Sequence, residues 1–145
     1  MKQEVRIEDI PAAELIKSAM EARKKSYAPY SGYQVGAALL TNELRIYTGC
    51  NIENAAYTPG ICAERTALYK AVSEGKRRFR AIAVAGGRGE ELQYAFPCGV
   101  CRQVMREFVV PGEFVVIVAK SPEDYKIYSL EELLPESFGP DNLSR

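Results

Sequence analysis

The sequence predicts an α/β fold, a mixed sheet of roughly five strands sandwiched between helices. Segments of helical periodicity alternate with short apolar runs. The first two such runs are joined by a turn and read as an opening hairpin. With 145 residues, 47% of them hydrophobic, the chain can bury one sizeable core, and no repeat, low-complexity tract or linker divides it. Residues 1–145 are therefore expected to form a single domain.

The first helix is expected from about Ala12 to Ser26, where Leu15, Ile16, Ala19, Met20 and Arg23 recur at helical spacing behind Pro11. Tyr27 to Gly32 reads as loop, punctuated by Pro29, Ser31 and Gly32. Val35 to Leu40, a turn at Thr41-Asn42-Glu43, and Leu44 to Gly49 form the hairpin. After a polar loop from Asn51 to Gly60, Cys62 to Glu74 has helical composition and stops at Gly75. Phe79 to Ala85 suits a strand covered on both faces. Gly86 to Phe96 reads as loop, Cys98 to Phe108 as helix, Phe114 to Ala119 as a second covered strand and Tyr125 to Tyr128 as an edge strand. Ser129 and Glu132 make a capping box for a short helix ended by Pro135. The tail beyond Glu136 is polar except for Phe138 and Leu143.

Charge narrows the function. Lys plus Arg and Asp plus Glu stand at 19 each, without the basic excess that a nucleic-acid partner asks for. The cluster Lys76, Arg77, Arg78 and Arg80 follows a helix end and reads as a solvated rim. No stretch approaches the roughly 18 apolar residues of a membrane span, and the acidic start lacks the apolar core of a signal peptide. The expectation is a cytoplasmic protein with neither a nucleic-acid nor a membrane partner. There the four cysteines, Cys50, Cys62, Cys98 and Cys101, stay reduced and point to metal or redox chemistry.

Histidine is absent. No imidazole can serve as nucleophile's partner, general base or metal ligand, so a metal site must use thiolates or carboxylates. Pro97-Cys98-Gly99-Val100-Cys101 places two sulfurs on one face of a helix start, where the helix dipole favours thiolates. Alone, that pair is equally compatible with zinc, redox and structural roles. Cys62-Ala63-Glu64 opens another helix, and at its mouth the sulfur and the carboxylate can face one site. Three thiolates with an open fourth position describe a catalytic zinc. A ligand, one residue, Glu, and then Pro-Cys-x-x-Cys is the signature of zinc deaminases, which also occur with three cysteines.

Around these motifs the resemblance covers nearly the whole chain. Tyr27-Ala28-Pro29-Tyr30-Ser31, Val35 to Leu39, Gly49 to Ala55, Ile61 to Ala67 and Pro97 to Val104 resemble the small homotetrameric cytidine deaminases, as does Glu132-Leu133-Leu134-Pro135 with Phe138 and Gly139. The resemblance implies a three-layer α/β/α sandwich, one zinc per subunit held by Cys62, Cys98 and Cys101, and active sites shared between subunits. It implies hydrolytic deamination of free cytidine and deoxycytidine in pyrimidine salvage. Water activated by the zinc attacks the ring carbon bearing the amino group, while Glu64 carries the protons. Asn51 and Glu53 are expected on the sugar hydroxyls, the Ala63 N–H on the pyrimidine, and Phe138 on a neighbour's substrate. Tyr33 stands at a ring-contacting position where the family commonly has phenylalanine, and Gln34 where it commonly has proline.

Three thiolates leave a zinc site with net charge minus one, which weakens the acidification of bound water. Arg65 and Arg102, each beside a ligand in sequence, are expected to compensate, with one or both donating to sulfur. Two other uses of the cysteines stay open at this stage, a Cys98–Cys101 redox pair and a four-cysteine structural zinc completed by Cys50. Tyr57 is divided evenly between packing and function, and Asn54 reads as a turn residue. A nucleic-acid editor and a deaminase of modified nucleosides share the metal pattern. Balanced charge, no tryptophan and the Asn51–Glu53 pair argue for an ordinary nucleoside.

Overall fold

The computed structural model describes residues 7–143. After a 3-10 turn at Ile7–Asp9, helix α1 (Ala12–Arg23) buries Leu15, Ile16, Ala19 and Ala22. The hairpin follows as β1 (Tyr33–Thr41) and β2 (Ile46–Cys50), then helix α2 (Ala63–Ser73) and strand β3 (Phe79–Arg88). A short β4 (Glu91–Gln93) precedes helix α3 (Gly99–Phe108), strands β5 (Val115–Ser121) and β6 (Asp124–Ser129), and helix α4 (Leu130–Leu133). A last 3-10 turn spans Pro140–Leu143.

The sheet runs β2-β1-β3-β5-β6, with β4 on the end of β3. It is mixed because β3 and β5 are parallel, joined by α3 in a βαβ crossover, while the other pairings are antiparallel. Alternation along each strand sends side chains to two cores. Ala37, Leu39, Ile82, Val116 and Val118 meet α2, α3 and α4 on one face. Ala38, Leu40, Ala81, Ala83, Ala85 and Ile117 meet α1 on the other. This is the expected three-layer sandwich. Leu15 and Ile16 are fully buried, each contributing about 1.5–3 kcal/mol of hydrophobic stabilisation.

Small residues bring the layers close. A Cβ on Gly36 would sit 2.0 Å from the Ala19 carbonyl oxygen, and one on Gly49 would sit 2.5 Å from the Ala67 nitrogen. Arg23, in the last turn of α1, donates from Nε to the Gln34 carbonyl at 3.0 Å and from Nη2 to that of Gly87 at 2.7 Å. Helix α1 is thereby stapled to the outer ends of β1 and β3.

Three departures from the expected boundaries have a clear local cause. Helix α1 stops at Arg23 rather than Ser26, because the N–H groups of Lys24, Lys25 and Ser26 bond to carbonyls three residues back in a tightening turn. Strand β2 starts at Ile46 rather than Leu44, because Leu44 takes a left-handed φ of 68° in the hairpin turn. Within Gly86–Phe96, expected as loop, β3 continues to Arg88 and turns back through Gly89, at φ 60°, into β4. The sheet thus has six strands. The Ser129–Glu132 capping box is present at α4, with both reciprocal hydrogen bonds made.

Candidate metal centre and active site

Cys62 and Cys98 are the N-cap residues of α2 and α3, both with extended backbone. A cap side chain faces the free N–H groups of the first turn, which favour negative charge. The Cys98 sulfur accepts from the Cys101 N–H at 3.5 Å. The two helix mouths converge, so that the Sγ atoms of Cys62, Cys98 and Cys101 all lie within 4.8 Å of one another. Tetrahedral sulfur ligands about 2.3 Å from a zinc ion stand roughly 3.8 Å apart. The Cys62–Cys98 sulfurs are 3.8 Å apart. The donor set and its spacing fit zinc.

Burial is graded across the trio: Cys101 is buried, Cys62 half-buried and Cys98 exposed. Cys50, at the end of β2, lies outside the cluster, so a four-sulfur shell does not form. Hydrogen bonds from Cys101, Arg65 and Cys98 outweigh burial and lower the Cys62 thiol to about 5, and the same exchange with burial pushes Cys101 up. A divalent ion removes that competition, because each thiol then ionises against the metal.

Arg65 donates from Nη2 to the Cys62 sulfur at 3.5 Å, and its Nε is buried without a partner. Arg102, expected to share this task, does not reach the sulfurs. It donates to the carbonyls of Pro97 and Leu133, each at 2.7 Å, and ties the start of α3 to α4. Spacing does not separate them, since Arg65 lies three residues and Arg102 four residues beyond a cap cysteine; the Arg102 guanidinium is taken up by the two carbonyls instead.

Glu64, in the first turn of α2, is only 4% exposed. Burial, with a smaller contribution from the Cys62 thiolate, raises its carboxyl to about 7, against hydrogen bonding from its own backbone N–H and the nearby Arg65 charge. Such a group holds or releases a proton with nearly equal ease at neutral pH. Ala63, the first helical residue and fully buried, has an N–H with no acceptor inside the helix.

These groups floor a cavity of about 760 Å³, within the range of small-molecule sites. Tyr33, Asn51, Glu53, Ala63, Glu64, Cys62 and Cys98 all line it. Asn51 is at the same time part of the wall. Its Nδ2 donates to the Tyr33 carbonyl at 2.8 Å, and its Oδ1 accepts from the Val35 N–H at 2.9 Å and from the Ser26 hydroxyl. One N–H of that amide remains for a ligand. The Glu53 carboxylate accepts from the N–H groups of Tyr30 at 2.9 Å and Ser31 at 3.1 Å, and from the Ser31 hydroxyl. The Ser31 hydroxyl leads in holding its carboxyl below the usual range, so it is an acceptor at neutral pH.

Sequence reasoning missed a further stretch of the lining, Tyr94, Ala95 and Phe96, where Phe96 leans on Tyr128 with ring centroids 5.6 Å apart. The apolar Phe96 ahead of Pro97-Cys98 is the one signal that marks it. Tyr57 sits at the lip, 82% exposed, with a left-handed φ of 60° that a non-glycine residue adopts only under constraint. Phe138 lies outside its own chain's cavity.

Helix-mouth thiols with zinc spacing, a buried carboxyl poised near neutrality and an adjoining small-molecule cavity fit a metal-dependent hydrolase of the deaminase type. The family model described as the cytidine and deoxycytidylate deaminase zinc-binding region matches residues 11–118. A cytidine deaminase of Sporosarcina psychrophila is 45% identical over 130 residues, covering 90% of this chain and 93% of that protein. One of Halalkalibacterium halodurans is also 45% identical over 130 residues, covering 90% and 96%. The crystal structure of the Burkholderia pseudomallei cytidine deaminase superposes with a TM-score of 0.76 at 45% identity, covering 86% of this chain and 97% of that one. That of Mycobacterium tuberculosis gives 0.77 at 34%, covering 90% and 99%. The chain belongs to the zinc-dependent cytidine deaminase family.

Proposed function

We propose that this protein hydrolyses free cytidine and deoxycytidine to uridine, or deoxyuridine, and ammonia. The observation that carries this is the trio of clustered cysteine sulfurs, of which Cys62 and Cys98 line the cavity together with the buried Glu64. Zinc held by Cys62, Cys98 and Cys101 supplies the activated water. Glu64 takes a proton from the attacking water and delivers it to the ring nitrogen beside the amino-bearing carbon. A second proton, passed by the same carboxyl, reaches the amino nitrogen, which leaves as ammonia. The Ala63 N–H holds the pyrimidine, and Tyr33 packs against its ring.

Glu53 accepts hydrogen bonds from sugar hydroxyls, with the remaining Asn51 N–H beside it. An ionised carboxylate there repels a phosphate and favours nucleosides over nucleotides. Arg65 tempers the charge of three thiolates. No helix among the described residues is long and apolar enough to cross a membrane; the reducing cytoplasm, where thiols persist, is the compartment this chemistry suits. There the reaction serves pyrimidine salvage. A homotetramer in which Phe138 stacks on a neighbour's substrate completes the picture, and sedimentation at four chain masses is the expected result.

An ultraviolet assay tests the activity. Cytidine and deoxycytidine are expected to turn over and to stop with a zinc chelator, while cytidine monophosphate and cytosine stay nearly inert. Full activity in metal-free protein, or preference for the monophosphate, contradicts the proposal.

A further inference from the structure

The tail beyond α4 displays Phe138, 58% exposed and away from its own chain's cavity. An exposed aromatic on a polar tail has little to hold it, yet α3 grips the chain at and on both sides of this one. Gln103 donates from Nε2 to the Phe138 carbonyl at 2.9 Å. Arg106 donates from Nε to the Ser137 hydroxyl at 2.8 Å and from Nη2 to the Asp141 carboxylate at 2.7 Å. Its guanidinium lies flush on Gly139, where a Cβ would come 2.3 Å from Cζ. The Gly139 N–H is closed by the Asn142 side chain at 2.8 Å. The Arg106 side chain is only 11% exposed, covered by the tail it holds.

Exposed ion pairs contribute little. This cation instead meets a hydroxyl, a carboxylate and a peptide face at once. Gln103 and Arg106 stand three residues apart on the helix whose N-cap is Cys98, so the tail is fixed to the same rigid rod as two zinc ligands. Ordering an aromatic before it meets its partner lowers the entropic cost of using it.

We infer that Arg106 is a positioning residue for nucleoside binding, acting through Phe138 by clamping the tail so that the ring is presented in one orientation to the cavity of a second copy. This rests on the proposal that Phe138 completes a neighbour's site.

The test is steady-state kinetics on cytidine with zinc-loaded Arg106→Ala, Arg106→Lys, Phe138→Ala and the Arg106→Ala/Phe138→Ala double variant. Arg106→Ala is expected to raise KM about tenfold, the size of a lost aromatic contact, with kcat and zinc content within about twofold. The double variant is expected to be no worse than Phe138→Ala, and Arg106→Lys to fall between Arg106→Ala and the parent. An unchanged KM in Arg106→Ala, losses that multiply in the double variant, or a fall in kcat with loss of zinc overturns the clamp while leaving Phe138 its role. An unchanged KM in Phe138→Ala removes the underlying proposal and the clamp with it. Should Arg106→Ala fail to fold, Ser137→Ala with Asp141→Asn frees the tail from its own side, and the same KM comparison decides.

Discussion

The cavity has two halves built on different principles. On the metal side, Cys62, Ala63, Glu64, Cys98 and Cys101 sit on the first turns of two packed helices, and their positions follow from helix geometry. On the side proposed for the sugar, Asn51 and Glu53 lie in loop, and their side chains hold that loop against Tyr30, Ser31, Tyr33 and Val35. A group on the metal side can be changed with the scaffold intact, whereas one on the other side serves as both contact and scaffold. The contrast is open to attack by mutation.

Glu64→Gln gives the largest effect. The amide fills the same volume but cannot take up and release a proton, so turnover is expected to fall by at least about 10⁴-fold with zinc content and melting temperature retained. Metal analysis beside a single-turnover assay checks this, and retained turnover breaks the assignment. Next comes the metal itself. Cys101→Ala is expected to lose zinc and activity together, while Cys50→Ala keeps both; metal loss from Cys50→Ala would revive the four-sulfur shell.

The smallest and most discriminating effects lie across the cavity. Asn51→Ala leaves the Val35 N–H and the Tyr33 carbonyl unpaired and is expected to cost roughly 2–4 kcal/mol of stability as well as raising KM. Glu53→Gln is expected to raise KM with little loss of stability. If Asn51→Ala melts like the parent, the idea of a dual-purpose wall fails. Acid sharpens the comparison. Because the Glu53 carboxyl is depressed in the fold, its hold on the Tyr30–Ser31 turn is present above the ordinary carboxylate pKa and lost as the pH falls through the lowered one. The protection of the Ser31 amide against exchange, relative to its intrinsic rate, should therefore fall as the pH drops below the ordinary carboxylate range in the parent. In Glu53→Gln that titration should be missing.

The same division explains what could be read from sequence. Cys62-Ala63-Glu64 and Pro97-Cys98-x-x-Cys101 declare themselves because residue type and short spacing carry the chemistry, and the helices that hold them have strong periodicity. The wall did not. The Asn51 grip on Tyr33 spans 18 residues, and that of Glu53 on Ser31 spans 22. Strand β4 was hidden because Glu91-Leu92-Gln93 holds one apolar residue, and its pairing depends on the turn at Gly89. Arg65 and Arg102 look equivalent in sequence, each one residue past a metal ligand or its partner glutamate. Only the Pro97 and Leu133 carbonyls that take up the Arg102 guanidinium separate them, and the second depends on where α4 packs.

The contact between Gly36 and α1 has a consequence for how this enzyme can change. Bulk added at Gly36 must lift the helix, and the helix carries Arg23, whose guanidinium clasps the cross-strand pair Gln34 and Gly87 next to Tyr33. A substitution behind the sheet, touching neither ion nor nucleoside, would reset where the Tyr33 ring stands. New base preferences thus have a route open to them that leaves every reacting group untouched.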